Sequence, residues 1–95
     1  MRETEANPFK VYVTVRVDFD TEGRMLPRTI TWENGRIYEI DRVLDVRPAA
    51  AMRAGGVGDR YTIRVEGRQT FLFYEHSPRM PGERSGRWFV ERRGA

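Results

Sequence analysis

The feature that most constrains the fold is a strict alternation of apolar and polar side chains near the start of the chain. Apolar residues occupy every second position from Phe9 to Phe19, while Tyr12 and four polar or charged residues fill the positions between them. A period of two over eleven residues is typical of a β-strand with one buried face. The sequence therefore predicts a β protein whose first strand begins near Phe9.

Shorter runs of the same kind predict further strands, each bounded by turn residues or by proline. The predicted runs are Leu26–Trp32, a third run that reaches Arg47 and is stopped by Pro48, Arg60–Glu66, a fifth run that ends near Glu75, and Arg87–Glu91. A bend or bulge is expected near Asp41 and Arg42, where the parity of apolar positions is interrupted. The only helical signal is a single turn over Ala49–Arg53.

These runs predict an all-β domain of six antiparallel strands. A single open sheet would leave one apolar face in water, so we expect a small closed barrel or a two-layer sandwich. An SH3-like barrel is favoured over an OB-like barrel, because no longer helix separates the third and fourth strands.

The chain of 95 residues holds one domain. Residues 1–8 are expected to form a disordered leader, residues 9–91 a single β domain, and residues 92–95 a loose tail. No apolar run approaches the roughly 20 residues of a membrane span, and the first residues lack the apolar stretch of a signal peptide. We therefore expect a cytoplasmic protein without membrane contact.

The turn of the first predicted hairpin fixes a register. A two-residue loop at Asn34-Gly35 would place charged residues on the face that carries Trp32, whereas a three-residue loop with a left-handed Gly35 pairs Ile30 with Tyr38. The second arrangement gathers the apolar side chains on one face. We predict that arrangement.

A second hairpin is predicted around Gly67-Arg68, which has the Gly-X pattern of a type II′ turn. This register sets Val65 opposite Thr70 and gives the hairpin an ordinary apolar face. On the other face, Arg64 is expected beside Phe71, Thr62 beside Phe73 and Arg60 beside Glu75.

Two irregular segments, Ala54–Gly58 and Ser77–Gly86, are expected to be loops because they are rich in glycine or in proline and glycine. The first does not fit a phosphate-binding loop, since a strand follows the glycines and the lysine and hydroxyl of such a loop are missing. Its alternative interpretation is a ligand or partner contact. The sequence leaves open whether either loop has a function.

Composition excludes several kinds of catalytic site. The chain has no cysteine, and His76 is the only histidine, so thiolate or histidine metal sites and Ser-His-Asp triads are not expected. Acid pairs such as Asp18 with Asp20 and Asp41 with Asp45 are interpreted as surface ion-pair partners. Glu75 and His76 are neighbours in a strand and point to opposite faces. We therefore predict a protein that is not an enzyme and has no catalytic residue, metal ligand or cofactor.

The remaining candidate site is basic and aromatic. Of the 17 basic residues all but Lys10 are arginine, although 14 acids reduce the net charge to +3. One face of the second hairpin groups Arg60, Arg64, Phe71 and Phe73, and Arg68 lies at the turn. These residues are candidates for binding single-stranded nucleic acid by stacking and phosphate contacts. In the alternative, the two phenylalanines are buried under the glycine-rich loop or against another subunit.

Several segments together resemble a family of small uncharacterised bacterial all-β domains. They include an aromatic-Trp-x-Gly-Arg-x-Tyr-type hairpin and a closing Arg-Trp-Phe strand, and the resemblance spans roughly Ile30 to Glu91: Ile30–Tyr38, Val43–Val46, Arg60–Ile63, Phe71–Tyr74 and Arg87–Val90. Some relatives are encoded beside a Y-family DNA polymerase. The resemblance therefore implies an accessory to DNA repair or lesion bypass with a polymerase-type partner, and it brings no catalytic residues.

We thus expect a non-enzymatic β-barrel associated with nucleic acid. The alternative is an adaptor for protein interaction, or a homodimer that buries the same patch. The two differ in whether Phe71 and Phe73 are exposed.

Overall fold

A computed structural model describes residues 10–50, 57–76 and 86–91, and every regular element among them is a β-strand. The strands are β1 (Lys10–Phe19), β2 (Met25–Thr31), β3 (Ile37–Ala50), β4 (Val57–Val65), β5 (Arg68–His76) and β6 (Gly86–Glu91). Each strand pairs antiparallel with the next, and β6 pairs with β1 to close the barrel. The predicted six-stranded antiparallel barrel is confirmed, and the preference for an SH3-like arrangement stays a prediction.

The described residues contain no helix of the length and hydrophobicity needed to cross a membrane. Several predicted features lie outside these residues. They are the leader at 1–8, residues 51–53 of the helical turn, the glycine-rich residues 54–56, residues 77–85 of the second loop and the tail at 92–95.

The first strand joins both ends of the sheet. Its first part, up to Val13, pairs with β6, and its second part, from Thr14 onward, pairs with β2. The alternation of the sequence puts Val11 and the following valines toward the barrel interior. Tyr12 and the polar residues consequently lie on the outside of the barrel.

The interior is filled by a cluster of buried side chains from β2, β4, β5 and β6. Its members are Ile30, Tyr61, Ile63, Leu72 and Trp88. The Trp88 ring packs against the rings of Tyr61 and Tyr74, with centroids 5.1 and 4.8 Å apart. Full burial of one large apolar side chain contributes about 1.5–3 kcal/mol, so this cluster is the main source of stability.

The first hairpin has the predicted loop. The Trp32 N–H donates to the Arg36 carbonyl at 2.8 Å, and Gly35 is left-handed with φ of 88°. Ile30 pairs with Tyr38. The prediction of a three-residue loop at Glu33–Gly35 is confirmed.

The register predicted for the second hairpin is wrong by two residues. The turn is formed by Glu66 and Gly67, whose φ values of 51° and 78° are those of a type I′ turn, so Val65 pairs with Arg68. The Gly67 N–H donates to Asp41 Oδ2 at 3.3 Å, which fixes the turn against β3. Because the shift is even, each side chain keeps its predicted face and changes only its neighbours.

Strands β3 and β4 extend further than predicted. β3 passes through Pro48, which pairs with Asp59, and β4 begins inside the glycine-rich segment. Among the described residues this part of β3 pairs only with β4, so it is an edge where a missing proline N–H is tolerated. A Cβ at Gly58 would overlap the Tyr74 carbonyl oxygen, so glycine allows β4 to approach β5 closely. The predicted strand end at Pro48 and the loop through Gly58 are both wrong, as is a helical turn beginning at Ala49.

The predicted irregularity near Asp41 is confirmed, because the β3–β4 register shifts between Ile40 and Arg42. A second shift follows between Val43 and Asp45. Such bulges increase the local twist of a sheet. They help β3 to curve with the barrel wall.

Candidate functional site

The outer faces of β1, β6, β5 and β4 carry an aromatic and charged patch, which we call the outer wall. It consists of Lys10, Tyr12, Arg60, Phe71, Phe73, Glu75, Arg87 and Phe89. Cross-strand pairs run from Tyr12 to Phe89, from Phe89 to Phe73 and from Phe73 to Arg60. The closure of the barrel thus aligns residues from four strands in one row.

Two phenylalanines at the centre of the outer wall form a small hydrophobic cluster of their own. The rings of Phe73 and Phe89 stack with centroids 5.0 Å apart and an interplanar angle of 8°. Both are buried, with 4% and 2% of their surface exposed, and they lie outside the interior cluster. Phe73 is therefore a packing residue of the wall rather than a free surface for a ligand.

Tyr12 lies at one side of this pair and is 37% exposed. Its ring meets Phe89 edge to face, with centroids 5.9 Å apart. The Arg87 guanidinium carbon lies 3.4 Å from the centre of the Tyr12 ring, a cation–π arrangement. An exposed tyrosine is thus covered on one face by a planar cation.

Phe71 and Arg60 repeat this arrangement on the other side. Phe71 is 41% exposed, and the Arg60 guanidinium carbon lies 4.7 Å from its ring centre. The Nε of Arg60 is buried and has no hydrogen-bond partner in the described part of the chain. A buried donor without an acceptor costs about 1–3 kcal/mol, so the Arg60 side chain is held over Phe71 at an energetic cost.

Glu75 fixes the charged groups of the outer wall. It accepts hydrogen bonds from Lys10 Nζ at 3.1 Å and from the Tyr12 hydroxyl at 2.8 Å. Burial alone would raise the pKa of Glu75, but these two hydrogen bonds and the charges of Lys10 and Arg87 outweigh burial and lower that pKa below its usual value. Glu75 is consequently ionised at neutral pH and holds the Tyr12 ring in place.

The structure separates the five predicted site residues. Arg60, Phe71 and Phe73 lie together on the outer wall. Arg64 is exposed and lies opposite Gln69 and Arg42, so the predicted pairing of Arg64 with Phe71 is wrong. Arg68 borders a cleft at one end of the barrel. Arg60 pairs with Phe73 instead of Glu75, because of the two-residue shift in register.

Glu75 was not among the predicted site residues, and four further residues of the outer wall were missed by the sequence interpretation: Lys10, Tyr12, Arg87 and Phe89. They come from β1 and β6, whose pairing depends on barrel closure rather than on a local turn. The sequence contained one indication that β1 belongs to the site. Tyr12 is the only aromatic residue among the alternating polar positions between Phe9 and Phe19.

Asp18, Asp20 and Asp45 are the predicted ion-pair partners, whereas Asp41 accepts a hydrogen bond from the Gly67 N–H. Asp20 Oδ2 lies 2.7 Å from Arg24 Nε, Asp45 Oδ2 lies 2.7 Å from Arg47 Nε, and Asp18 pairs with Arg28 at 3.4 Å. Within residues 10–50, 57–76 and 86–91, no three acidic, histidine or cysteine side chains group into a metal site.

No protein-family model, curated protein or solved structure matches this chain. The outer wall therefore has no counterpart from which a role can be transferred.

Proposed function

We propose that the outer wall binds single-stranded nucleic acid. The observation that carries this proposal is a repeated pair, in which an exposed aromatic ring, Tyr12 or Phe71, lies beneath an arginine guanidinium. Bases of any sequence stack on aromatic rings, and arginine can stack on a base or bind a phosphate. The two pairs thus offer two stacking positions, each with a cation beside it.

The packing around these pairs supports pre-organised binding. The stacked Phe73 and Phe89 rings lie between Tyr12 and the Arg60 side of the wall, so they set the spacing of the two exposed rings. Glu75 restrains Tyr12 through its hydroxyl. Rings that are already held in position lose little conformational entropy when a base stacks on them.

The charges of the wall favour a modest, salt-dependent affinity. Lys10 is already bound to Glu75, so Arg60 and Arg87 are the cations that we assign to phosphates. Each phosphate contact on a single strand gives a slope of about −0.7 in log affinity against log salt concentration, so two contacts predict about −1.4.

The experiment measures binding of a fluorescently labelled oligothymidylate by anisotropy at about 50 mM salt. Phe71→Ala should weaken binding by about 5- to 150-fold, because one stacked base contributes about 1–3 kcal/mol. Phe19→Ala is the matched control, since Phe19 is a 67% exposed phenylalanine away from the wall. Absence of binding by the unaltered protein, or equal losses in the two variants, would contradict the proposal.

The alternative function, an adaptor or homodimer, makes a different prediction for the same residue. A dimer that buries Phe71 would be seen by light scattering after gel filtration, and Phe71→Ala would dissociate it. A monomer that binds the oligonucleotide supports the proposed function. The wider role that we propose, a cytoplasmic accessory to DNA repair or lesion bypass, rests on the family resemblance. A binding assay with a Y-family DNA polymerase tests this role.

A further inference from the structure

A second candidate site lies at the end of the barrel where the two hairpin turns meet. There a cleft of about 460 Å³, which we call the mouth cleft, is lined by residues of β2 to β6. Its apolar lining includes Ile30, Val65 and Val90. Small-molecule sites in proteins occupy about 300–1,000 Å³, so the mouth cleft has room for one compact ligand.

The rest of the lining is aromatic and polar. Trp32 and Tyr38 contribute rings, while Arg68, Thr70 and Glu91 contribute a cation, a hydroxyl and a carboxylate. Arg68 is exposed and forms no ion pair with another described residue. It is the cation of the cleft that is open to an incoming anion.

The turns around the mouth cleft are linked to each other. Arg36 lies with its guanidinium carbon 4.9 Å from the Tyr38 ring centre, and its Nη2 lies 3.8 Å from Glu66 Oε2 in the other turn. Arg36 also adds positive charge beside the Tyr38 ring. Glu66 offsets the charge of Arg36, so Arg68 is the cation that the cleft offers to an anionic ligand.

We propose that the mouth cleft binds a nucleoside monophosphate. The base stacks on Trp32 and Tyr38, as bases do on aromatic rings elsewhere. The phosphate binds Arg68, whose planar fork matches phosphate oxygens. The carboxylate of Glu91 accepts a hydrogen bond from a sugar hydroxyl, a common role for acidic residues in nucleotide sites.

This site goes beyond the function proposed for the outer wall and does not depend on it. Arg68 and the other cleft residues lie at the barrel end, whereas Tyr12 and Phe71 lie on its outer surface. One site can therefore fail its test while the other passes.

Isothermal titration calorimetry with AMP, at concentrations up to about 1 mM, tests the proposal. Adenosine and inorganic phosphate are separate arms, and AMP should bind more tightly than either. Arg68→Ala should weaken AMP binding by about 10-fold or more and bring it close to that of adenosine, because a charge-assisted hydrogen bond is lost. Arg64→Ala is the matched control, since Arg64 is an exposed arginine of the same hairpin with its side chain on the outer face.

A second measurement locates the ligand. In an NMR spectrum AMP should shift the indole N–H of Trp32 more than that of buried Trp88, with Trp32→Phe assigning the signal. Phe19→Ala should leave AMP affinity unchanged. The proposal is overturned if AMP does not bind, if phosphate alone binds as tightly as AMP, or if Arg64→Ala and Phe19→Ala weaken AMP binding as much as Arg68→Ala.

Discussion

Leu72 and Phe73 are neighbours in β5 and belong to two hydrophobic clusters on opposite sides of the same sheet. The inner cluster is enclosed by apolar side chains from other strands. The outer cluster is a pair of stacked rings, and Phe89 of this pair contacts Lys10 and the 37% exposed Tyr12. Burial of the inner cluster stabilises the barrel itself. Burial of the outer pair instead positions the exposed aromatic rings beside it on the outer wall.

The largest effect is expected from Leu72→Ala. Leu72 is fully buried in the inner cluster, and its removal leaves a cavity that the closed wall cannot fill. We expect the free energy of unfolding to fall by about 3–5 kcal/mol, measured by urea denaturation. A loss below about 1 kcal/mol would mean that the interior is loosely packed.

Phe73→Ala should lower the free energy of unfolding by about 2 kcal/mol, less than the usual loss of about 3–5 kcal/mol for Phe→Ala, although it deletes a larger side chain than Leu72→Ala. The reason is that Lys10 and Tyr12 can settle into the space and that solvent can enter it. The same urea titration measures this change. A loss equal to that of Leu72→Ala would show that the two clusters act as one continuous core.

The smallest effect is expected from Glu75→Gln, and it depends on pH. The folded protein lowers the pKa of Glu75, so ionised Glu75 stabilises the fold above the unfolded pKa of about 4.3, and this contribution is lost as pH falls through the lower folded value. Urea midpoints of the unaltered protein and the variant should differ at neutral pH and converge in acid. Glu39→Gln, at an exposed position, serves as control. A difference that persists unchanged in acid would assign the effect to packing instead of charge.

The sequence alone was sufficient to predict those features that depend on residues close together in the chain. The alternation from Phe9 to Phe19 identified β1 and its buried face. Gly35 identified the first turn, because a left-handed residue was needed to keep Ile30 and Tyr38 on one face. The number of strands and the class of fold followed from such local signals.

The sequence alone was insufficient to predict which side chains contact each other when those contacts depend on strands that are distant in the chain. Glu66 adopts a left-handed conformation that is unfavourable by about 1–2 kcal/mol for such a residue, so the rule that prefers glycine selected the wrong turn. The face of the sheet on which Phe71 and Phe73 lie was predicted correctly, because the error in the β4–β5 register was two residues, an even number. Their burial and their partners were not, since Phe89 reaches Phe73 only through barrel closure.

The pairing of β1 with β6 also has a kinetic consequence. The hairpins between successive strands bring together residues that are close in the chain, whereas the Lys10–Glu75 contact on the closing side joins residues 65 positions apart. Contacts of long sequence separation slow folding. During synthesis the hairpins can form early, but the barrel stays open until its last strand has left the ribosome. Completion of the outer wall is therefore a late step of folding.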